Sequence, residues 1–165
     1  MDAVFYDIVS TPLGNVTAAV DAAGALMEFH FVGESRHPAK LARPDVAEHG
    51  PGRLDTVQRQ IDEFFARKRE TFDLELKPQG TPFQQSVWRA LCDIPFGKTI
   101  SYQQLAVGLG DINAVRAVGA ANGKNPIWLI IPCHRVIGKD GSLTGYGGGL
   151  PLKRALLDFE TPRLL

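Results

Sequence analysis

Residues 132–136, Pro-Cys-His-Arg-Val, have the side-chain types that nucleophilic catalysis by sulfur requires. A cysteine reacts as its thiolate, so a reactive thiol needs a base or a positive charge nearby, and here a histidine and an arginine follow directly. In an extended chain adjacent side chains point to opposite faces, so His134 would reach the sulfur of Cys133 only through a tight turn or a bridging water. Taken alone, the pair also fits a small buried cysteine beside an exposed histidine. Cys92 has no such neighbours and is interpreted as structural.

The cysteines and histidines give no indication of a metal site. A structural zinc site needs about four Cys or His ligands at defined spacing, and the four histidines do not group with the two cysteines. Two cysteines are also too few for the disulfide framework of a small secreted protein. We therefore predict free thiols, a cytoplasmic location, no metal and no cofactor. No apolar run approaches the roughly 18 residues of a membrane helix, and the N-terminus lacks a signal-peptide pattern.

Short helices precede the reactive segment. Thr81 can cap a helix and Pro82 suits its first turn. Ser101 can cap a second helix over 102–109, and a glycine-containing turn leads to a third over 112–122. Two short helices joined in this way resemble a helix-turn-helix, whose last helix is presented to DNA. The small side chains of that helix would permit close approach to a groove, and they would equally permit packing against neighbouring helices.

The reactive segment itself lies between extended stretches. The apolar run at 128–131 predicts a strand, and the turn at 139–142 predicts a hairpin that follows the cysteine. Positions 145–149 form a glycine loop, which lacks the spacing and the Lys-Ser/Thr pair of a phosphate-binding P-loop. A closing helix is predicted over 152–160.

The first half of the chain predicts a small sheet with one helix. Three runs rich in β-forming residues predict an antiparallel meander over 4–9, 16–21 and 26–32. Apolar side chains at helical spacing predict a helix over 54–68, and alternation at 72–76 predicts a final strand. The proline-containing stretch 33–53 is predicted to be a loop.

The halves differ in charge although the net charge is zero. Residues 1–80 hold nine basic and 13 acidic side chains, whereas residues 81–165 hold nine basic and five acidic ones. A basic half suggests contact with a polyanion, although a solvated surface gives the same count.

The ordered motifs of the second half resemble the O6-alkylguanine-DNA alkyltransferase family. The matching segments are, in chain order, 97–102, 116–119, 125–126, 132–138 and 145–150. The likeness covers about residues 80–160, and the combination is highly specific. It implies DNA repair by direct reversal, in which an alkyl group leaves O6 of guanine, or O4 of thymine, and stays irreversibly on Cys133. The partner implied is double-stranded DNA containing O6-alkylguanine, with no membrane and no obligate protein partner, and the protein is expected to be a monomer.

The resemblance also implies an α+β fold in two domains. Residues 1–77 would form a support domain, a small antiparallel sheet with a helix that is ribonuclease H-like. Residues 78–165 would form the DNA-binding and alkyl-acceptor domain, which is mainly helical and winged helix-turn-helix-like.

The family pattern implies a catalytic role for five residues. Cys133 would accept the alkyl group, His134 would take its proton through a water, and Glu160 would orient His134. Asn125 would hold the helix-to-strand turn near the cysteine, and Tyr102 would donate a proton to the leaving base. Without the resemblance, Glu160 would be interpreted as a solvated carboxylate at a helix end and Asn125 as a turn residue.

The target atom lies inside the duplex, so the nucleotide must rotate out, in this family through the minor groove. Arg116 would fill the vacated space, Tyr102 would crowd the 3′ phosphate, and Tyr146 would stack on the extruded base. The predicted DNA-binding residues are Arg116, Tyr102, Ser101, Ala117, Gly119 and Arg135. The predicted base pocket consists of Tyr146, Gly147, Gly148 and Val136. The alternatives are a solvated arginine at 116 and a core tyrosine at 102.

Some features depart from the family pattern. Relatives with zinc carry ligands in the first domain, and this chain has no cysteine there. Trp128 stands where smaller apolar residues are common, and Gly147 replaces a serine of some relatives. Two other functions compete with alkyl transfer: a lesion-binding module, whose family lacks the acceptor cysteine, and a cysteine hydrolase, whose base lies far away in sequence.

Overall fold

The structure is a computed structural model, and it describes residues 2–33, 39–143, 146 and 149–161. Within those ranges no helix is long and apolar enough to cross a membrane. The fold is α+β, as predicted, with a sheet in the first half and helices in the second.

A four-stranded sheet dominates the first half. Its strands lie in the order β3-β2-β1-β4 and are β1 (Val4–Thr11), β2 (Gly14–Asp21), β3 (Leu26–Phe31) and β4 (Glu48–His49). The first three form the predicted antiparallel meander. β4 runs parallel to β1, so the sheet is mixed and the predicted loop 33–53 contains a strand. Two residues are too short a run for alternation to reveal a strand.

The helix α1 (Asp55–Phe65) packs against β1 with its apolar side chains buried. It ends earlier than predicted because Arg67 takes a left-handed φ of 61°. The Arg67 N–H donates to Phe64 O at 3.1 Å and the Lys68 N–H to Glu63 O at 2.8 Å, which is the Schellman arrangement of a helix C-terminus. Glycine is the usual residue at this position, and a side chain there costs on the order of 1 kcal/mol.

The second half consists of four helices and a two-stranded parallel sheet. Its elements are α2 (Pro82–Leu91), β5 (Ile100–Ser101), α3 (Tyr102–Gly108), α4 (Val115–Gly123), β6 (Val136–Ile137) and α5 (Leu150–Glu160). A 3₁₀ turn, Ile112–Ala114, precedes α4, and a second one, Cys133–Arg135, precedes β6.

Capping boxes define where α2 and α3 begin, as predicted. The hydroxyl of Thr81 accepts from the Gln84 N–H at 3.1 Å, and the Gln84 side chain accepts from the Thr81 N–H at 2.9 Å. Ser101 and Gln104 repeat the same exchange at 3.0 and 2.8 Å. The helices α3 and α4 pack on each other, and the helix-turn-helix label stays a prediction.

Two predicted strands, at 72–76 and 128–131, are wrong, and a predicted hairpin around 139–142 lies only partly within the described residues. Residues 72–76 contribute one isolated parallel bridge, from Leu76 to Leu26, instead of a strand. Residues 128–131 form turns, since apolar runs of this length do not distinguish a strand from other buried segments. The turn at 139–142 closes through Gly138 N–H to Ser142 O at 2.8 Å, β6 pairs with β5, and Thr144 of the predicted hairpin lies outside the described residues.

The two halves share one apolar core. The Phe29 N–H donates to Pro126 O at 2.9 Å, and the Trp128 N–H donates to Phe29 O at 2.9 Å, so β3 bonds directly to the segment that leads to the cysteine. The His30 ring stacks on Trp128 at 4.6 Å. This contact gives a structural reason for the bulky residue at 128. The domain boundary between 77 and 78 and the ribonuclease H-like and winged labels stay predictions.

Candidate active site

The turn that carries Cys133 is held by buried amides. Asn125 Nδ2 donates to Ile131 O at 2.8 Å, and Asn125 Oδ1 accepts from the Ile127 N–H at 2.9 Å. Asn122, on α4, donates its amide to Cys133 O at 3.4 Å. Asn125 therefore lies where the resemblance placed it, bracing the chain between α4 and the cysteine.

A buried hydrogen-bonded chain joins His134 to α5. Because Cys133–Arg135 is a 3₁₀ turn and not an extended strand, the strand geometry assumed from the sequence does not apply. Glu160, the last residue of α5, accepts from His134 Nε2 at 2.9 Å. His134 is fully buried and Glu160 is 4% exposed, so neither is the solvated group that isolated sequence reasoning allowed.

Arg135 completes this ion-pair network. Its Nε and Nη2 donate to the two carboxylate oxygens of Glu160, both at 2.8 Å, and Nη1 donates to Ile94 O at 2.7 Å. The side chain is buried. The predicted DNA contact of Arg135 does not fit this position, because its donors are turned inward to a bidentate carboxylate pair.

The charges in this network depend on one another. Burial alone would raise the pKa of Glu160, but hydrogen bonds from Arg135 and His134 outweigh burial and hold it at about 2. Burial lowers the pKa of His134, against the opposing effect of Glu160. An ionised carboxylate only accepts hydrogen bonds, so Nε2 carries the proton and Nδ1 of the neutral ring is the basic nitrogen. Among the described protein groups, Nδ1 has no hydrogen-bond partner.

Cys133 is a buried thiol in the resting protein. It is 4% exposed, and burial raises its pKa to about 11, although the Asn125 side chain and the Lys153 ammonium act in the opposite direction. Burial thus favours the neutral thiol over the thiolate in the resting protein. Deprotonation must therefore accompany the reaction.

Lys153 is a site residue that sequence reasoning missed. It is fully buried on α5, and its Nζ donates to Val136 O at 2.6 Å. Burial lowers the pKa of Lys153 to about 8, and the charge of Cys133 raises it. The signal was present in the spacing, because Lys153 lies three residues before Leu156 and seven before Glu160, on the buried face of α5.

The predicted base-pocket residues are only partly described. Tyr146 is 6% exposed, with its ring centroid 5.8 Å from that of Trp128. Burial raises its pKa, with a smaller contribution from Cys133. Val136 is fully buried, and its carbonyl accepts from Lys153. Gly147 and Gly148 lie outside the described residues.

The predicted DNA-contact residues lie on α3 and α4. Arg116 and Ala117 are exposed on α4. A Cβ on Gly119 would lie 3.7 Å from the ring of Tyr102, so Gly119 faces a protein side chain, the packing alternative left open by the sequence. Ser101 caps α3.

The described residues contain no cluster of three or more His, Cys, Asp or Glu side chains able to hold a metal ion. The absence of a metal and of a cofactor stays a prediction. Both cysteines are free thiols, with Cys92 exposed.

Known proteins match this chain over nearly its whole length. Residues 82–162 match the 6-O-methylguanine DNA methyltransferase, DNA binding domain. The methylated-DNA–protein-cysteine methyltransferase of Methanosarcina barkeri is 44% identical over 98% of this chain and 99% of its own length. The crystal structure of Mycobacterium tuberculosis O6-methylguanine methyltransferase superposes with a TM-score of 0.86 at 42% identity, covering 98% of this chain and 95% of that one. The M. tuberculosis protein in complex with DNA gives a TM-score of 0.85 at 42% identity, with 94% and 92% covered. The chain therefore belongs to the family of methylated-DNA–protein-cysteine methyltransferases.

Proposed function

We propose that this protein repairs DNA by moving an alkyl group from O6 of guanine onto the sulfur of Cys133. The observation that carries the proposal is the hydrogen bond of 2.9 Å from His134 Nε2 to the Glu160 carboxylate, in a buried turn where His134 directly follows the buried thiol of Cys133. A histidine that a carboxylate orients can act as the base that deprotonates a neighbouring thiol when the substrate is bound. We extend the same reaction to O4 of thymine.

The reaction is a displacement at the alkyl carbon. The thiol proton of Cys133 passes to His134 Nδ1 through a water, the sulfur bonds to the alkyl carbon, and the bond from that carbon to guanine O6 breaks. The electron pair stays on the base, and Tyr102 supplies a proton to it. The thioether does not hydrolyse under mild conditions, so each molecule acts once.

His134 can accept the proton because its imidazolium form would lie against ionised Glu160. Arg135 keeps that carboxylate ionised and fixed through two hydrogen bonds. The Lys153 ammonium adds positive charge near the sulfur and stabilises the thiolate as it forms. Burial therefore keeps the resting sulfur protonated. Lys153 and ionised Glu160 stabilise the ion pair of thiolate and imidazolium that forms during the reaction.

The lesion has to leave the duplex to reach a sulfur that is 4% exposed. We infer that Arg116, exposed on α4, enters the minor groove and fills the space of the extruded nucleotide, with Ala117 at the same surface. Tyr102 presses on the 3′ phosphate, and Tyr146, with Gly147 and Gly148, holds the base. Unstacking costs a few kcal/mol and is least for a damaged base, which favours lesions.

Double-stranded DNA is the only partner that this mechanism needs. We infer that the protein acts as a monomer. The two free thiols fit the reducing cytoplasm, where disulfides are rare.

Intact-mass measurement tests the function directly. Incubation with a duplex that contains one O6-methylguanine should add one methyl group per protein, and peptide mapping should place it on Cys133. Cys133→Ala should bind the duplex without gaining mass, whereas Cys92→Ala should react like wild type. A gel shift without mass gain would indicate a lesion-binding module. Repeated turnover would indicate a hydrolase, and either result would contradict alkyl transfer.

A further inference from the structure

The end of α5 is held by a residue from the other half of the chain. Arg67 Nη2 donates to Phe159 O at 2.8 Å, and its guanidinium carbon lies 4.2 Å from the centroid of the Phe159 ring. Phe159 directly precedes Glu160. The carbonyl oxygens of the last turn of a helix have no partner within the helix, and a cation is favoured there. Arg67 supplies both the donor and the charge.

The backbone at Arg67 is in the left-handed region, which favours glycine and, to a lesser extent, asparagine over arginine. Its φ is 61°, and of the described non-glycine residues only Leu129 also has a positive φ. The two hydrogen bonds of the Schellman motif would form equally well with glycine. The arginine therefore does not serve the termination of α1. A side chain kept in an unfavoured conformation indicates a task for that side chain.

The surroundings of Phe159 extend this contact. Its ring packs against Phe64 at 5.3 Å and Phe65 at 5.0 Å, both on α1. On the other side, a Cβ at Gly97 would lie 3.4 Å from Glu160 O. The last turn of α5 is thus enclosed by α1, by the turn at Gly97 and by the Arg67 side chain.

We infer that Arg67 is a positioning residue for alkyl transfer, fixing the last turn of α5 so that Glu160 stays in register with His134. The inference rests on the proposed function of that network. It also gives the N-terminal half a specific task beyond support, because Arg67 binds the carbonyl of Phe159, and the next residue, Glu160, accepts from His134, which directly follows Cys133.

The test compares variants of one loop. Arg67→Gly removes the side chain and relieves the backbone, so its melting temperature should stay within about 3 °C of wild type. Arg69→Ala is the matched control, because Arg69 donates only within the N-terminal half, to Gln60, Glu63 and Thr71. Arg67→Lys keeps a cation long enough to reach Phe159 O. Arg67→Asn tolerates a left-handed φ, but its side chain is too short to reach that oxygen.

Single-turnover kinetics at saturating lesion duplex give the rate constant, and titration gives the affinity for DNA. Arg67→Gly and Arg67→Asn should slow transfer about tenfold with unchanged affinity. Arg67→Lys should stay within about threefold of wild type, and Arg69→Ala should transfer normally. Wild-type rates in Arg67→Gly, or equal slowing in Arg69→Ala, would overturn the inference.

Nitrogen-15 NMR of the His134 ring separates this inference from the proposed function. In wild type the ring should show one tautomer, protonated at Nε2, and Arg67→Gly should show exchange between tautomers. An unchanged His134 spectrum would overturn the role of Arg67 even if wild type proved unable to accept an alkyl group. Failure of the wild-type protein to gain mass would contradict the proposed function alone.

Discussion

In the proposed reaction, the buried charges of Lys153 and Glu160 control the reactivity of the Cys133 sulfur. Burial raises the pKa of the Cys133 thiol to about 11, so at neutral pH the sulfur is protonated. Glu160 polarises His134, and Lys153 attracts the developing thiolate. Each charge can be removed singly.

Lys153→Met should slow methyl transfer about tenfold at pH 7, because the thiolate loses its neighbouring cation. The pKa of Lys153 is about 8. Wild type therefore loses the same charge as the pH rises through 8, and the difference between the two proteins should narrow there. Quenched single-turnover reactions from pH 6.5 to 9.5 measure the ratio of the wild-type rate to the Lys153→Met rate. Lys139→Met is the control, because Lys139 lies in an exposed turn. A constant ratio of rates across this range would argue against an electrostatic role.

Glu160→Gln should change how stability depends on acid. The folded pKa of Glu160 is about 2 and its ordinary value is 4.5. Its contribution, about 3 kcal/mol at most, is therefore present above pH 4.5 and lost as the pH falls towards 2. The wild-type advantage over Glu160→Gln in free energy of unfolding should shrink across this window.

Urea unfolding at pH 7, 4.5, 3.5 and 2.5 checks the acid dependence. Glu63→Gln is the control, since Glu63 pairs with Arg69 at 3.3 Å near the surface, where such pairs contribute 1 kcal/mol or less. A wild-type advantage that stayed constant from pH 4.5 to 2.5 would mean that the carboxylate is not stabilised by its partners.

At the scale of the elements, Ser101 is the N-cap residue of α3. The hydroxyl of Ser101 accepts from the Gln104 N–H at 3.0 Å, while its backbone belongs to β5 and pairs with Ile137 of β6. One residue thus joins the helix that carries Tyr102 to the strand that follows Cys133.

Ser101→Ala should lower the free energy of unfolding by about 1 kcal/mol, the usual cost of losing an N-cap. Ser86→Ala is the matched control, because the Ser86 hydroxyl donates to Phe83 O inside α2, where an alanine suits the helix at least as well. Chemical denaturation of both variants measures the difference. Equal stability of the two would mean that the capping box contributes nothing.

The whole molecule depends on the contact between β3 and the segment before the cysteine. Trp128 is 2% exposed and lies between His30 of the sheet and Tyr146 of the predicted base pocket. The two halves should therefore unfold together.

Trp128→Ala should lower the free energy of unfolding by about 3–5 kcal/mol and slow alkyl transfer, since the cavity lies beside Tyr146. Phe83→Ala, an aromatic residue of α2 that is 41% exposed, should change stability little. Calorimetry and single-turnover rates measure both effects. Two separate melting transitions in wild type would contradict a shared core.

Local patterns sufficed for much of the fold. The meander β1–β3 follows from alternation and turns, and the starts of α2 and α3 follow from Thr81 and Ser101. Alternation, turn residues and N-caps each depend on interactions among a few neighbouring residues, so they can be recognised from the sequence alone. The family motifs also predicted roles for Cys133, His134, Glu160 and Asn125 before any geometry, and the structure places the last three at the turn that carries the sulfur; their roles stay predictions.

Contacts between distant residues decided the rest. Whether 128–131 is a strand depends on what lies beside it, and here only Ile127 bridges to Phe29. Arg135 was predicted to contact DNA, whereas its side chain pairs with Glu160, 25 positions later, and local spacing does not reveal such a pair. Lys153 is buried because α5 packs that face inward. Burial and ion pairing set the pKa of the thiol, and both arise only when the chain is folded.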